Sequence, residues 1–203
     1  MSETFKGEIP PQNHKSPEKP KEKDFLEGKS KALDFLRREK IGKDQLTQGE
    51  AGLIDENIKR LVLLFNNLPF LYTTGSCGGH LFTKEDILRK YPDTSPELLQ
   101  LPITGVAIYG GGNITFTINP ANNRSFEFIK EVQKFIKNYP NAKLRQFDRS
   151  PNQYKLEFDA EKAKDAGCEE EEDIFPVDKA QQKEIVREKL KNELVQLVNK
   201  FLQ

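Results

Sequence analysis

The stretch LPFLYTTGSCGGHLF, residues 68 to 82, holds the residues of this chain that are best suited to chemistry. Cys77 and His80 lie three positions apart, although the whole chain has only 2 cysteines and 2 histidines. The residues around this pair are small or carry hydroxyl groups, namely Thr73, Thr74, Gly75, Ser76, Gly78 and Gly79. Such a composition is compatible with a metal site, a nucleophilic cysteine, a ligand cradle or a purely structural turn.

A metal site and a nucleophilic cysteine are the two interpretations that use Cys77 and His80 directly. Structural zinc sites take four protein ligands and catalytic ones about three. No second Cys or His pattern completes such a set, so we predict no metal. His80 and nearby amides could instead lower the pKa of the thiol, but no third group that would orient His80 is evident.

The remaining two interpretations do not require the thiol to react. A cysteine often packs as a small hydrophobic residue, and glycines often only supply a positive φ. From the residues alone, this structural interpretation is favoured. A turn with hydroxyls and exposed amides after a strand can also form a concavity that binds an anion or a carboxylate, and the residues that would form it are Thr73, Thr74, Gly75, Ser76, Gly78 and Gly79.

Hydrophobic periodicity predicts the elements that would position this turn. Helices are predicted over roughly 24 to 39, 54 to 68, 124 to 138 and 178 to 202, and strands over 70 to 74, 144 to 147 and 154 to 158. Asp55 and Glu56 suit the first turn of the second helix, where the dipole favours anions, so Asp55 is interpreted as a helix-start residue and not as a base.

Two further patterns mark helix starts and a turn. Thr83-Lys84-Glu85-Asp86 resembles a capping box with Asp in place of Glu, opening a helix that stops before Pro92. Ser95-Pro96-Glu97 resembles another N-cap. The glycines of Gly110-Gly111-Gly112-Asn113 separate two alternating segments and predict a hairpin turn.

These elements predict an α+β fold, a single domain with a central antiparallel or mixed sheet flanked by helices. Residues 1–23 are proline-rich and polar, which predicts a disordered N-terminal arm. The α+β core domain is expected over 24–160. An acidic linker over 161–177 follows, because its run of carboxylates repels itself, and an amphipathic helix over 178–203 is expected to pack on the core.

Charge and hydropathy restrict the partners. Lys plus Arg balance Asp plus Glu at 32 each, so the overall charge does not indicate a nucleic-acid binder, although a local basic patch remains possible. Lys143, Arg145 and Arg149 could contact phosphate, or could be a solvated strand edge that discourages strand pairing. The absence of a long apolar run predicts no membrane span. The absence of an apolar segment near the N-terminus predicts no secretory signal, and therefore a cytoplasmic protein.

Three segments together resemble a known family. A first helix with Phe25 and Lys29, a second helix that begins near Ile54-Asp55, and the run Tyr72-Thr73-Thr74-Gly75-Ser76-Cys77-Gly78-Gly79-His80 are similar to the tRNA wybutosine-synthesising proteins of the third step. That family carries a Tyr-Thr-Thr-Ser-Ser-Cys-Ser-Gly-Arg motif. The resemblance covers about residues 25 to 82. It implies an α+β fold distinct from the Rossmann methyltransferases, S-adenosylmethionine as cofactor, and a modified guanosine of phenylalanine tRNA as substrate.

The resemblance also implies roles at the motif. Cys77 and His80 become the catalytic candidates, Cys77 lining the pocket and His80 acting as acid or base near neutral pH. The implied cofactor-binding residues are Thr74, Ser76, Gly78 and Gly79. The motif departs from the family at Gly75, Gly78 and His80, and His80 replaces an arginine that would fork onto phosphate or carboxylate. The alternative is a non-catalytic binding or interaction protein whose Cys-Gly-Gly-His turn is structural.

Overall fold

The computed structural model describes residues 22–41, 54–83, 86, 106–158 and 173–203. Its elements are α1 (Glu22–Ile41), α2 (Glu56–Asn67), β1 (Leu71–Cys77), β2 (His80–Thr83), β3 (Val106–Gly110), β4 (Gly112–Ile118), α3 (Asn123–Ile136), β5 (Lys143–Phe147), β6 (Ser150–Phe158), β7 (Asp173–Pro176) and α4 (Val177–Leu202).

The helices form where the periodicity predicted them, and α2 shows why. Its apolar residues recur at helical spacing and bury one face, including Ile58, Leu61 and Phe65. The helix starts at Asp55, whose backbone oxygen accepts from the N–H groups of residues 58 and 59. It stops at Leu68, which is extended, because a residue that precedes proline is driven out of the helical region.

The strands form two antiparallel sheets, and the chain alternates between them. The first has 4 strands in the order β1-β4-β6-β5 and the second has 3 in the order β2-β3-β7. Alternate residues of β4 are buried, among them Ile114, Phe116 and Ile118. This face of the four-stranded sheet packs on α2, α3 and α4 in one hydrophobic core. The opposite face of the same sheet, called the open face below, carries the polar residues of β4.

The predicted hairpin at Gly110–Asn113 is wrong. In the described residues β3 pairs with β2 and β7, whereas β4 pairs with β1 and β6. The chain therefore passes from one sheet to the other at Gly111 instead of turning back. Two-residue hairpin turns require positive φ, but the positive φ found among the glycines described is that of Gly79.

The α+β class, the single domain and the flanking helices are confirmed, and all strand pairs described are antiparallel. The capping box is also present, because Asp86 accepts from the backbone and hydroxyl of Thr83 and donates its own N–H to that hydroxyl. The rest of that helix and the Ser95 cap lie outside the described residues, as do residues 1–21 of the predicted arm.

The acidic linker requires a correction at its end. Asp173–Pro176 forms β7 and pairs with β3, because strand pairing uses backbone N–H and C=O groups and Asp173 is the one acidic residue of this short segment. Residues 161–172 of the predicted linker lie outside the described residues. None of the helices described combines the length and the apolar character that a membrane span requires.

Candidate functional site

Strand β1 carries the motif, and a bulge in it decides which side chains face outward. Its register with β4 shifts between Thr73 and Gly75, so that Thr74 is an extra residue. Ser76 consequently pairs with buried Ile114, while Cys77 pairs with Asn113 on the open face. One inserted residue exchanges the two faces of a strand. The bulge therefore places Cys77, rather than Ser76, on the open face, beside the exposed Thr74 and Gly75.

Asn66 of α2 joins the motif strand to the helix layer. This side chain is 2% exposed. Its amide group donates to the Thr73 hydroxyl at 2.6 Å, and its oxygen accepts the Thr73 N–H at 3.1 Å. The N–H and the hydroxyl of Thr73 are thus both engaged with Asn66, which gives Thr73 a structural role.

Lys29 of α1 fastens the start of the same strand. Its ammonium group donates to the backbone oxygens of Asn66 at 3.1 Å, Leu68 at 2.5 Å and Leu71 at 2.7 Å. These are carbonyls at the C-terminal end of α2 and the start of β1, where a cation is favoured by the helix dipole. Burial lowers the pKa of Lys29 to about 8, so that the group is still charged at neutral pH.

The glycine turn after Cys77 is held by the first residues of α2. The Gly78 N–H donates to Oδ2 of Asp55 at 2.8 Å. The amide of Asn57 donates to the carbonyls of Gly78 at 3.3 Å and Gly79 at 3.1 Å. At Gly78, one of the residues of the predicted cradle, the amide is therefore already bonded to a carboxylate of the protein itself. Gly78 and Gly79 are buried and contribute shape.

Two buried cations of α4 brace the same junction from the other side. Arg187, whose side chain is 1% exposed, donates to the Gly110 carbonyl at 2.7 Å and is paired with Glu184. Lys191, whose side chain is 5% exposed, donates to the backbone oxygen of Asn57 at 3.1 Å. A buried charge is costly unless it is paired and hydrogen-bonded, and each of these two cations has an acidic partner one helical turn away, Glu184 for Arg187 and Glu188 for Lys191. Arg187 thus ties the C-terminal helix to the crossing between β3 and β4, and Lys191 ties it to the first turn of α2.

Cys77 is the last residue of β1 and directly precedes the glycine turn. Its thiol is half-buried, and its Sγ accepts the N–H of Gly79 at 3.4 Å. The backbone of His80 begins β2 opposite Gly110. Within the described residues, no three His, Cys, Asp or Glu side chains are close enough to hold a metal ion.

Of the site residues predicted from the sequence, Thr74 and Cys77 lie on the open face of β1 and Ser76 lies on its core-facing side. The sequence analysis missed the residues that hold the turn. Asn57 gives no sequence signal beyond its place near a helix start. Arg187 and Lys191 do give one: together with Leu190, Leu194 and Val198 they fall on one face of α4. A charged residue on an otherwise apolar helical stripe indicates a buried partner.

The fold and the site define an α+β protein in which two antiparallel sheets meet at Gly78, Gly79 and Gly110, called the glycine junction below. Hydrogen bonds from Asn57 and Arg187 and to Asp55 hold these glycines in place. Among solved structures, the chain is similar to the PH1069 protein from Pyrococcus horikoshii. The TM-score is 0.52 at 12% sequence identity, over 89% of this chain and 97% of that chain. This likeness concerns the fold alone. Neither protein-family models nor curated proteins give a match.

Proposed function

We propose that the protein is a diverged relative of the third-step wybutosine-synthesising methyltransferases, which transfers a methyl group from S-adenosylmethionine to a modified guanosine in tRNA. The observation that carries the proposal is the convergence of the three segments in which the resemblance lies. Lys29 bonds to Leu71 at the start of the motif strand, and Asp55 bonds to Gly78 at its end. Residues from segments that are far apart in the sequence thus hold one short motif in place, which is expected if the motif forms a site.

The motif offers a partial fit to the cofactor. Thr74 and Gly75 are exposed, and the space beyond the Gly75 Cα is open, since an added Cβ would meet its nearest atom at 3.9 Å. The Thr74 hydroxyl would hold a polar group of S-adenosylmethionine, and Cys77 would line its pocket. Ser76, implied by the resemblance as a second polar contact, pairs with buried Ile114 and so lies on the core-facing side of the strand, away from Thr74 and Cys77. Gly78 and Gly79 fit a shaping role, because the N–H of Gly78 and the carbonyls of both residues are already hydrogen-bonded within the protein.

When bound, S-adenosylmethionine supplies an electrophilic methyl group. The protein then has to orient a nitrogen nucleophile and exclude competing geometries, and such positioning can provide most of the required rate. A rigid motif strand suits that task, because it is fixed by Asn66, Lys29 and Asp55. His80 keeps its proposed role as the acid or base at this strand end.

Calorimetric titration of S-adenosylmethionine into the pure protein tests the proposal. We expect saturable binding that is lost in Cys77→Ala or His80→Ala and weakened in Thr74→Ala, while each variant keeps its circular dichroism spectrum. Ser150→Ala is the matched control, because Ser150 is an exposed serine in the turn region at the start of β6. A well-folded wild-type protein that does not bind the cofactor would refute the methyltransferase proposal.

The competing function is a non-catalytic binding protein whose Cys-Gly-Gly-His turn is structural. One observation favours it: the Asp55 carboxylate bonds to the Gly78 amide at 2.8 Å, so this part of the cradle serves the fold. Absence of cofactor binding, together with loss of stability in Asp55→Ala, would support this second function.

A further inference from the structure

The open face of the four-stranded sheet has a charge pattern that the proposed chemistry does not use. Strand register brings together two rows of side chains that cross all four strands. One row runs Cys77, Asn113, Glu157, Lys143, and the other runs Gly75, Thr115, Lys155, Arg145. Each row therefore begins at the motif on β1 and ends at a cation on β5.

The charges on this face are unequal. It carries the cations Lys143, Arg145 and Lys155 and the single carboxylate of Glu157. Arg145 contacts Glu157 at 2.8 Å and Lys155 contacts it at 3.5 Å. The Glu157 side chain is 16% exposed, whereas that of Arg145 is 41% exposed and that of Lys155 is 31% exposed. The carboxylate thus lies beneath two cations that reach solvent, and it orders them while leaving the face with a net positive charge.

The cations lie within reach of the motif. Neighbouring strands are separated by about 4.8 Å, so three intervals place β5 about 14 Å from β1. Polar groups bridge the gap, since the Gln153 amide donates to the Thr74 hydroxyl at 3.1 Å across β4. A polyanion that is held at β5 and β6 could therefore present an adjoining group at Cys77.

We propose that this open face binds the phosphate backbone of the RNA substrate through Lys143, Arg145 and Lys155, with the reacting nucleotide at the β1 end of the rows. This inference rests on the proposed function, because it takes tRNA as the substrate. It assigns the RNA to the side of the sheet opposite α2, α3 and α4. The basic residues of β5 and β6, which could equally have protected a strand edge, then have a binding role.

The composition of the face also indicates how the RNA is bound. Sheets that read single-stranded RNA by stacking place aromatic residues on their central strands. The open-face positions of β4 and β6 hold Asn113, Thr115, Thr117, Gln153, Lys155 and Glu157 instead. Binding on this face is therefore electrostatic and depends strongly on salt.

Fluorescence anisotropy of a labelled phenylalanine tRNA transcript, measured over a salt series, tests the inference. In the triple variant Lys143→Gln, Arg145→Gln and Lys155→Gln, we expect affinity at low salt to fall at least about tenfold. The slope of log affinity against log salt should fall by about 2, since each lost phosphate contact on a single strand removes about 0.7.

Two controls make the test specific. The triple variant Lys130→Gln, Lys134→Gln and Lys137→Gln removes the same charge from exposed positions on or next to α3, and should leave the affinity and the slope close to wild type. Glu157→Gln removes the carboxylate beneath the cations and should strengthen binding, about threefold by loss of one opposing charge. This change is opposite in sign to the first and cannot be produced by general destabilisation.

Each alternative outcome overturns the inference. Wild-type binding that the first triple variant retains, or that the α3 variant loses equally, places the RNA elsewhere. Weaker binding in Glu157→Gln does the same. If the wild-type protein binds no tRNA at low salt, this surface is rejected, and calorimetry then decides the proposed function separately: cofactor binding would leave a methyltransferase with another substrate, and its absence would reject both.

Discussion

Replacing Gly79 by alanine tests whether the glycine junction is the structural centre of the site. Gly79 has a φ of +72°, a region in which a residue with a Cβ is destabilised by about 1–2 kcal/mol. The added Cβ would also lie 2.7 Å from the Gly110 carbonyl oxygen. That oxygen cannot move easily, because Arg187 donates to it at 2.7 Å and its strand pairs with β2. Overpacking of this kind adds about 1–3 kcal/mol.

We therefore expect Gly79→Ala to lower the free energy of unfolding by about 3 kcal/mol. Gly75→Ala is the matched control, four positions before Gly79 in the sequence. Gly75 has open space beyond its Cα, so its replacement should change stability by less than about 0.5 kcal/mol. Urea denaturation followed by circular dichroism gives both values.

A second measurement connects the junction to the thiol. In a Cys168→Ser background, the rate at which a thiol reagent modifies Cys77 reports the geometry of the turn. We expect Gly79→Ala to change that rate, because the Gly79 N–H is bonded to Sγ, and Gly75→Ala to change it little. Equal stabilities for the two variants, with equal thiol reactivity, would refute the reasoning that position 79 requires glycine and that the turn is clamped.

The other expectations concern the charged residues around the site. Arg187→Met removes the charged donor to the buried Gly110 carbonyl and should lower the free energy of unfolding, measured in urea, by about 2 kcal/mol. Lys189→Met, on the same helix with a side chain 68% exposed, should lower it by less than about 0.5 kcal/mol. Similar losses in the two variants would show that Arg187 does not hold the Gly110 carbonyl in place. For Lys29, burial lowers the folded pKa to about 8 from the ordinary value of 10.5, so between these pH values the unfolded chain binds more protons. Linkage then requires the unfolding free energy of the wild type, relative to Lys29→Met, to rise from pH 8 to 10.5, and a flat or falling difference over that range would show that the group is not desolvated as described.

Local information in the sequence determined much of the fold. The periodicity of Ile58, Leu61 and Phe65 is a property of one helix, and the Thr83–Asp86 box is a property of one turn, so both could be predicted without knowing any tertiary contact. The motif strand could be placed for the same reason. Its hydroxyl and thiol residues are adjacent in the chain, so the candidate site could be named from the sequence.

Tertiary structure decided what surrounds the motif. The segments on either side of Gly111 alternate as a hairpin would, yet they join different sheets, because strand pairing depends on backbone groups that come from distant parts of the chain. The face on which Cys77 lies depends on a bulge at Thr74, which is a matter of register and not of composition. The Asp55 carboxylate accepts the Gly78 N–H only because α2 packs beside the turn. The sequence determines which residues can form the site, and long-range packing determines which of their groups remain available to a ligand.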